Sequence, residues 1–219
     1  MKFLNTILDI VFPAKCVSCG QSGADLCIKC LSDFPTAERE TAKWIFPLFD
    51  YRHPPLKRAL WLFKYKNKKS LARFFAKIIY DKILEELSEL SLMENFNHAV
   101  LIPIPLSNLR YRERGYNQAE LICKELIRIN KLRHGADLIL ENNILIKPKE
   151  TKHQAHIENK TKRLKNITGS FSVKNCETLK GRNIILIDDI ITTGATLTEA
   201  KKILKLSGAR KVIAFTVAH

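Results

Sequence analysis

Residues 184–197 read IILIDDIITTGATL, and this stretch carries the strongest signal in the sequence. It begins with four consecutive aliphatic residues, which is typical of a strand buried on both faces of a parallel sheet. Two adjacent carboxylates, Asp188 and Asp189, follow where that strand ends. A threonine-rich turn comes next and opens a helix predicted at about 195–207. The stretch therefore predicts a strand–turn–helix unit with an acid pair beside the turn.

The turn has the composition of a phosphate site. Threonine hydroxyls and free backbone N–H groups at a helix N-terminus suit a phosphate dianion, and a glycine lets the backbone approach it closely. The turn lacks lysine, so it is not a Walker loop. An adjacent acid pair suits a ligand that also offers hydroxyls, as ribose 5-phosphate does. We expect the phosphate-binding residues to be Thr192, Thr193, Gly194, Ala195 and Thr196.

Outward from this unit, short apolar runs alternate with helical patterns. The runs lie at 99–105, 143–146, 183–187 and 211–217, and the helical patterns at about 116–130 and 195–207. Strands buried on both faces and alternating with helices predict a parallel α/β sheet. Its ligand is expected beyond the carboxyl ends of the strands.

The segment before the sheet is strongly basic. Residues 43–51 predict an extended piece that Pro47 places at a sheet edge, and helical periodicity follows at 56–66 and 70–90. The chain carries a net charge of +15, which favours polyanionic partners, although a solubilising surface is an equally good explanation. Residues 52–82 concentrate this charge and interleave it with aromatic residues.

Four cysteines near the N-terminus have the spacing of a metal site: Cys16, Cys19, Cys27 and Cys30. Two CxxC pairs can complete a tetrahedral Zn²⁺ site, and no thiolate is left over for an open position, so we expect structural zinc. Two disulfides, or a thioredoxin-like redox pair, are the alternatives. Both explain the pattern less well, because nothing marks secretion and one CxxC would suffice for redox chemistry.

The N-terminal residues 1–12 predict an amphipathic helix and not an export signal. Asn5 and Asp9 interrupt the apolar run, and a secretory peptide has a longer uninterrupted one. The longest apolar runs are also well short of the roughly twenty residues that span a bilayer. We therefore expect a cytoplasmic protein without a membrane span.

A second motif points to a family. Residues 102–121, IPIPLSNLRYRERGYNQAEL, resemble the signature of the ComF (competence protein F) family, and residues 184–197 resemble the phosphoribosyl pyrophosphate (PRPP) motif of type I phosphoribosyltransferases. The cysteine pattern belongs to the same family. The resemblance implies a type I phosphoribosyltransferase fold, a doubly wound parallel sheet with helices on both faces, plus a small N-terminal zinc-binding segment. It divides the chain into a zinc knuckle (1–40), a hood (41–96) and a PRPP-binding core (97–219).

The resemblance also assigns residues to PRPP with Mg²⁺. Asp188 and Asp189 would hold the ribose, as catalytic groups that act electrostatically, while the threonine turn holds the 5-phosphate. Arginines after the first core strand and in a hood loop at 149–171 would meet the pyrophosphate: Arg110, Arg112, Arg114 and Arg163. The family pattern for that loop also matches Gln154, Asn166 and Phe171. A polar, basic loop of this length is expected to act as a lid.

Three hypotheses about function stay open. In the first, the chain binds PRPP and acts in DNA uptake, with single-stranded DNA contacted by the aromatic and basic residues of 52–82; packing of those aromatics in the core is the alternative. In the second, an active phosphoribosyltransferase displaces pyrophosphate from ribose C1 by a nitrogen base, although no residue nominates that base. In the third, the knuckle docks a competence helicase or another DNA-processing protein.

Overall fold

The computed structural model describes residues 13–38, 42–94, 96–135, 137–147 and 170–219. The helix predicted at 1–12 and most of the loop predicted at 149–171 lie outside these ranges. Within them, the strands are β1 (Ile45–Phe49), β2 (Ala99–Pro103), β3 (Leu138–Leu140), β4 (Leu145–Ile146), β5 (Ser172–Val173), β6 (Asn183–Ile190) and β7 (Lys211–Ala218). The α-helices are α1 (Ile28–Ser32), α2 (Pro54–Tyr65), α3 (Leu71–Glu94), α4 (Asn108–Arg114), α5 (Gln118–Leu132) and α6 (Ala195–Leu206).

Five strands form one parallel sheet in the order β1-β7-β6-β2-β3. Alternate residues of each central strand enter two separate apolar clusters. Ile185 and Ile187 of β6 pack in the cluster with α3 and α5, whereas Ile184 and Leu186 pack in the cluster with α6. Helices therefore cover both faces, and the predicted doubly wound parallel α/β sheet is confirmed.

One predicted strand was wrong. Residues 143–146 were expected in the parallel sheet, but Leu145–Ile146 pairs antiparallel with Ser172–Val173 in a separate ribbon. The edge position beside β2 belongs to Leu138–Leu140. Residues 138–140 (LIL) and 144–146 (ILI) are equally apolar, but Leu138–Leu140 is the first extended segment after α5 returns the chain to the sheet.

The basic segment before β2 builds one edge and one face of the same sheet. Pro47 lies in β1 at the edge, as predicted, where its missing N–H leaves no ladder hydrogen bond unmade. Helix α2 begins with Pro54 and Pro55, which suit the first turn, and α3 packs on α5. Among the described helices, none has both the length and the apolar character needed to cross a membrane.

The order of the strands identifies where a ligand can bind. From β2 the chain moves to β3 on one side, and the later strand β6 lies on the other side of β2. In open α/β sheets such a switch point leaves a crevice at the carboxyl ends of the two strands. Pro103 of β2 is paired with Ile187 of β6 there, immediately before the acid pair.

Candidate functional site

The acid pair lies at the carboxyl end of β6, inside this crevice. The Asp188 carboxylate accepts a hydrogen bond from the Asp189 backbone N–H at 2.8 Å. Burial of the Asp188 carboxyl, and secondarily the adjacent Asp189 carboxylate, raises the pKa of Asp188 to about 7. Asp189 is itself only 8% exposed. One of the two acids is therefore poised to change its charge near neutral pH.

Two cations from different parts of the chain face Asp189. The Lys64 ammonium, near the end of α2, lies 3.0 Å from one carboxylate oxygen, and the Arg114 guanidinium lies 4.0 Å from the other. The side chains of all three residues are largely buried. The Arg114 Nε is buried and has no hydrogen-bond partner among the described residues, so a donor is left over for a ligand.

The residues after Arg114 fasten α2 to the site. The Tyr116 hydroxyl donates a hydrogen bond to the backbone carbonyl of Phe63, and the Gln118 amide donates to the same carbonyl at 3.5 Å. The Gln118 side-chain oxygen accepts from Arg114 at 3.0 Å. Lys64 directly follows Phe63, so these two hydrogen bonds from the RGYNQ motif (residues 114–118) hold the end of α2 where the Lys64 ammonium reaches Asp189.

The threonine turn has the geometry of an anion site. Gly194 is the N-cap residue of α6 and has φ +72°, a left-handed conformation that L-residues adopt only with strain. Because glycine has no side chain, the N-cap residue itself makes no capping hydrogen bond to the first turn of the helix. The Thr193 hydroxyl accepts from the Ala195 N–H at 3.4 Å. The next N–H groups of the first turn have no partner within the helix, so they are available to a phosphate.

The predicted pyrophosphate arginines divide between the site and solvent. Arg110, Arg112 and Arg114 lie on the short helix α4 instead of an open loop, and Ser107 caps that helix. Arg110 lies within electrostatic range of Asp188, and Arg114 reaches Asp189. Arg112 is exposed and contacts neither acid among the described residues. Arg163 lies outside the described part of the chain, as do Gln154 and Asn166.

A further cation lies directly after β4, near the acid pair. Lys147 directly follows β4, and its ammonium lies 5.2 Å from the ring centroid of the buried Phe171. Burial and the Arg110 charge lower the pKa of Lys147, while Asp188 opposes that shift. Because β4 pairs with β5, the strand before Lys147 lies beside Ser172–Val173, and Lys147 is within electrostatic range of Asp188.

The four N-terminal cysteines converge as predicted. The sulfur atoms of Cys16, Cys19, Cys27 and Cys30 all lie within 4.8 Å of one another, and all four are free thiols. Four sulfur ligands around one Zn²⁺ stand about 3.8 Å apart, and the Cys19–Cys27 separation is 3.8 Å. Gly20 has φ +76°, as the knuckle turn requires. The cluster could hold a metal such as zinc.

Two residues of the site were not predicted. Lys64 and Lys147 are ordinary members of basic stretches, and their helix or strand positions alone do not distinguish them from neighbouring lysines. The one usable signal for Lys64 was its position next to Phe63, on a helix whose other face is buried. The structure brings the acid pair close to Arg110 and Arg114, and the roles predicted for these residues stay predictions.

The chain is similar in sequence to a phosphoribosyltransferase domain family and to competence and DNA utilization proteins. The family described as "Phosphoribosyl transferase domain" matches residues 146–219. Competence protein F of Haemophilus influenzae is 29% identical over 92% of this chain and 84% of its own length. Competence protein ComFC of Bacillus subtilis is 37% identical over 73% of this chain, which covers 62% of that protein. DNA utilization protein YhgH of Escherichia coli K12 is 24% identical over 85% of this chain and 74% of its own length.

Solved structures similar to the chain include phosphoribosyltransferases. A hypoxanthine phosphoribosyltransferase from Trypanosoma cruzi matches with a TM-score of 0.40 and 13% identity, over 68% of this chain and 67% of that one. The domain match at residues 146–219 and the parallel sheet with helices on both faces confirm the type I phosphoribosyltransferase fold class.

Proposed function

Because this chain belongs to the ComF (competence protein F) family of phosphoribosyltransferase-like proteins, we propose that it binds PRPP with Mg²⁺ and serves DNA uptake. One observation carries the ligand proposal. The acid pair and the open N-terminus of α6 meet at the switch point of the sheet, with Lys64 and Arg114 facing Asp189. PRPP is a ribose with a phosphate at one end and a pyrophosphate at the other. Carboxylates can bind its hydroxyls, and uncapped N–H groups and cations can bind its two anionic ends.

Each part of PRPP has matching groups on this site. The 5-phosphate fits the turn at 192–196, where backbone N–H groups and threonine hydroxyls can donate to it. The ribose hydroxyls can donate to Asp188 and Asp189. The pyrophosphate fits the cations on the open side: Arg110, Arg114, Lys64 and Lys147, with Arg112 and Arg163 as further candidates.

Mg²⁺ suits the same carboxylates, because it prefers hard oxygen ligands and phosphate oxygens. Asp188 and Asp189 would hold it, and when bound it neutralises charge on a departing pyrophosphate. The ion pair of Lys64 with Asp189 fits this proposal, since it shows that the buried carboxylate requires a positive neighbour. Zinc in the cysteine cluster would be structural, and reduced thiols fit the expected cytoplasmic location.

Calorimetric titration with PRPP and Mg²⁺ tests the proposal. Asp189→Asn is expected to weaken binding at least about tenfold, because the ribose loses a buried charged acceptor. Asp33→Asn, which changes an exposed acid at the end of α1, is the matched control and should bind as wild type. An absence of heat with the wild-type protein would refute the sugar-phosphate site.

The same site could also turn over. Displacement of pyrophosphate from ribose C1 by a nitrogen base needs stabilisation of a developing positive charge, and the acid pair lies where it can supply this without proton transfer. Pyrophosphate release measured with a panel of nucleobases distinguishes an enzyme from a PRPP-binding protein. Release that depends on one base and is lost in Asp189→Asn would establish the transferase.

Single-stranded DNA contact is supported by two exposed rings next to the site. Phe63 and Phe75 are buried, so for them the core interpretation is right, but Trp61 and Tyr65 are 48% and 55% exposed, with ring centroids 6.4 Å apart. The Arg114 guanidinium lies 5.5 Å from the Tyr65 ring centroid. Adjacent rings flanked by cations can stack bases and pair phosphates.

Anisotropy with a labelled thymidine oligonucleotide tests this contact. Tyr65→Ala is expected to weaken binding about tenfold without changing its salt dependence, because a stacking surface and no charge is removed. Leu206→Ala, an exposed residue of α6, is the control. A Tyr65→Ala variant that binds as wild type would remove DNA from this face.

The three-part division of the chain belongs to the proposal too. The structure fits it in one respect: α2, in the segment at 41–96, supplies Lys64 to acids of the segment at 97–219. This contact supports a hood that contributes a cation to the site of the core.

A further inference from the structure

A groove of about 280 Å³ lies between α1, α3 and the C-terminal end of α5, and it shares no residue with the acid-pair site. We call it the knuckle groove. Its apolar surface comes from Leu31 and Ile129, which are buried, and from Ile28 and Leu132, which are 48% and 69% exposed. Exposed apolar side chains that are grouped at a cavity and rimmed by polar residues are typical of an interaction site.

Among the described residues, four cations and no carboxylate line this groove: Arg73, Lys77, Arg128 and Arg133. Arg128 and Arg133 pair with Glu125 and Asp81 outside the lining, each at 2.7 Å. Among the described residues, Arg73 and Lys77 have no carboxylate partner. The groove is therefore apolar inside, and its positive charge is only partly neutralised.

The shape and chemistry favour a protein segment over nucleic acid. Bases bind by stacking on aromatic faces, whereas this floor is aliphatic. The one aromatic ring among its described lining residues is Phe74, whose centroid lies 5.8 Å from the Arg73 guanidinium. The volume is also at the lower limit for a cofactor or other small ligand, so it suits a few inserted side chains.

We propose that the knuckle groove binds an acidic amphipathic helix of a partner protein. Apolar side chains spaced three and four residues apart would enter between Ile28 and Leu132, and flanking carboxylates would pair with Arg73 and Lys77. The proposal is independent of PRPP binding. It gives the cysteine cluster a role, because that cluster shapes one wall of the groove.

The metal site fixes that wall through α1. Cys27 caps this five-residue helix and Cys30 lies within it, so Ile28 lies between two sulfur ligands and Leu31 directly follows the second. A helix this short does not persist without such support. On the other side of the knuckle, Asp25 accepts hydrogen bonds from Lys68 and Ser70. Loss of the metal is thus expected to disorganise one wall and leave the α3–α5 wall in place.

Fluorescence anisotropy tests the proposal with a synthetic helix of about 15 residues, with leucine along one face and glutamate elsewhere. The wild-type protein is expected to bind it, and to bind a scrambled peptide of the same composition at least about tenfold more weakly. Lys77→Glu and Leu132→Glu should each weaken binding about tenfold or more. Lys202→Glu, on the opposite face of the sheet, makes the same charge change as Lys77→Glu and should bind as wild type.

Zinc chelation should abolish peptide binding, and added zinc should restore it. Melting curves of the variants identify any that fail to fold, and Arg73→Gln then replaces them. Equal binding of both peptides, or no binding of either, would overturn the proposal. So would an oligonucleotide that displaces the peptide, or a concentration-dependent dimer lost in Leu132→Glu, because these would assign the groove to DNA or to a second copy.

Discussion

Binding of PRPP with Mg²⁺ should weaken as the pH falls below about 7, because Asp188 takes up a proton there. Burial of its carboxyl, together with the Asp189 charge, raises the pKa of Asp188 to about 7. Ribose hydroxyls and Mg²⁺ both require the ionised carboxylate, so binding at lower pH must release that proton. The ionised fraction falls from about nine-tenths at pH 8 to about one-tenth at pH 6, which costs about tenfold in affinity, or about 1.4 kcal/mol.

Calorimetry at about pH 6 and about pH 8, in buffers of different ionisation enthalpy, counts the protons released. Wild type should release close to one more proton at the lower pH than Asp188→Asn does. The ligand's own phosphate groups titrate near pH 6 in both experiments, so the difference isolates Asp188. Equal proton release by the two proteins would refute the assignment of this titration to Asp188.

The same shift predicts the direction of a stability effect. Folding raises the pKa of this carboxyl from 3.8 to about 7. Its contribution to stability is therefore fully present at a pH below 3.8, the pKa in the unfolded chain, and is lost as the pH rises through about 7. Asp188→Asn should therefore raise the melting temperature of the ligand-free protein at about pH 8 and leave it unchanged below about pH 4. A lower melting temperature at about pH 8 would contradict the direction.

Three further outcomes are expected. Lys64→Met should destabilise the fold by about 3 kcal/mol, because Asp189 loses a buried partner at 3.0 Å. The control Lys124→Met removes an exposed ion pair and should cost less than about 1 kcal/mol. Equal melting temperatures of the two variants would contradict this prediction. Gly194→Ala should cost about 1–2 kcal/mol at φ +72° and weaken PRPP binding measured by calorimetry, and an unchanged affinity would argue against the turn as the phosphate site. Metal analysis should find one zinc per chain, and its chelation should lower the melting temperature.

The sequence alone was sufficient where the signal is local. Uninterrupted apolar runs of four residues, at 99–102, 184–187 and 212–215, are typical of strands buried on both faces of a parallel sheet, so they identified β2, β6 and β7. Pro47 cannot donate to a ladder, which placed β1 at the edge. The acid pair, Gly194 and the cysteine spacing carry their chemistry within a few residues, and a short segment closes on itself in few ways. These predictions required no knowledge of distant contacts.

Only the tertiary structure decided which distant groups share the site. Lys64 reaches Asp189 because Tyr116 and Gln118 hold the end of α2 by the Phe63 carbonyl, and no pattern within α2 encodes that hydrogen bond. Strand β3 occupies the sheet edge because α5 returns the chain there, although the apolar run at 144–146 is equally long. The knuckle groove likewise exists only where three helices meet. Residue type and spacing specify local geometry, whereas the packing of helices against the sheet sets how far apart remote side chains lie.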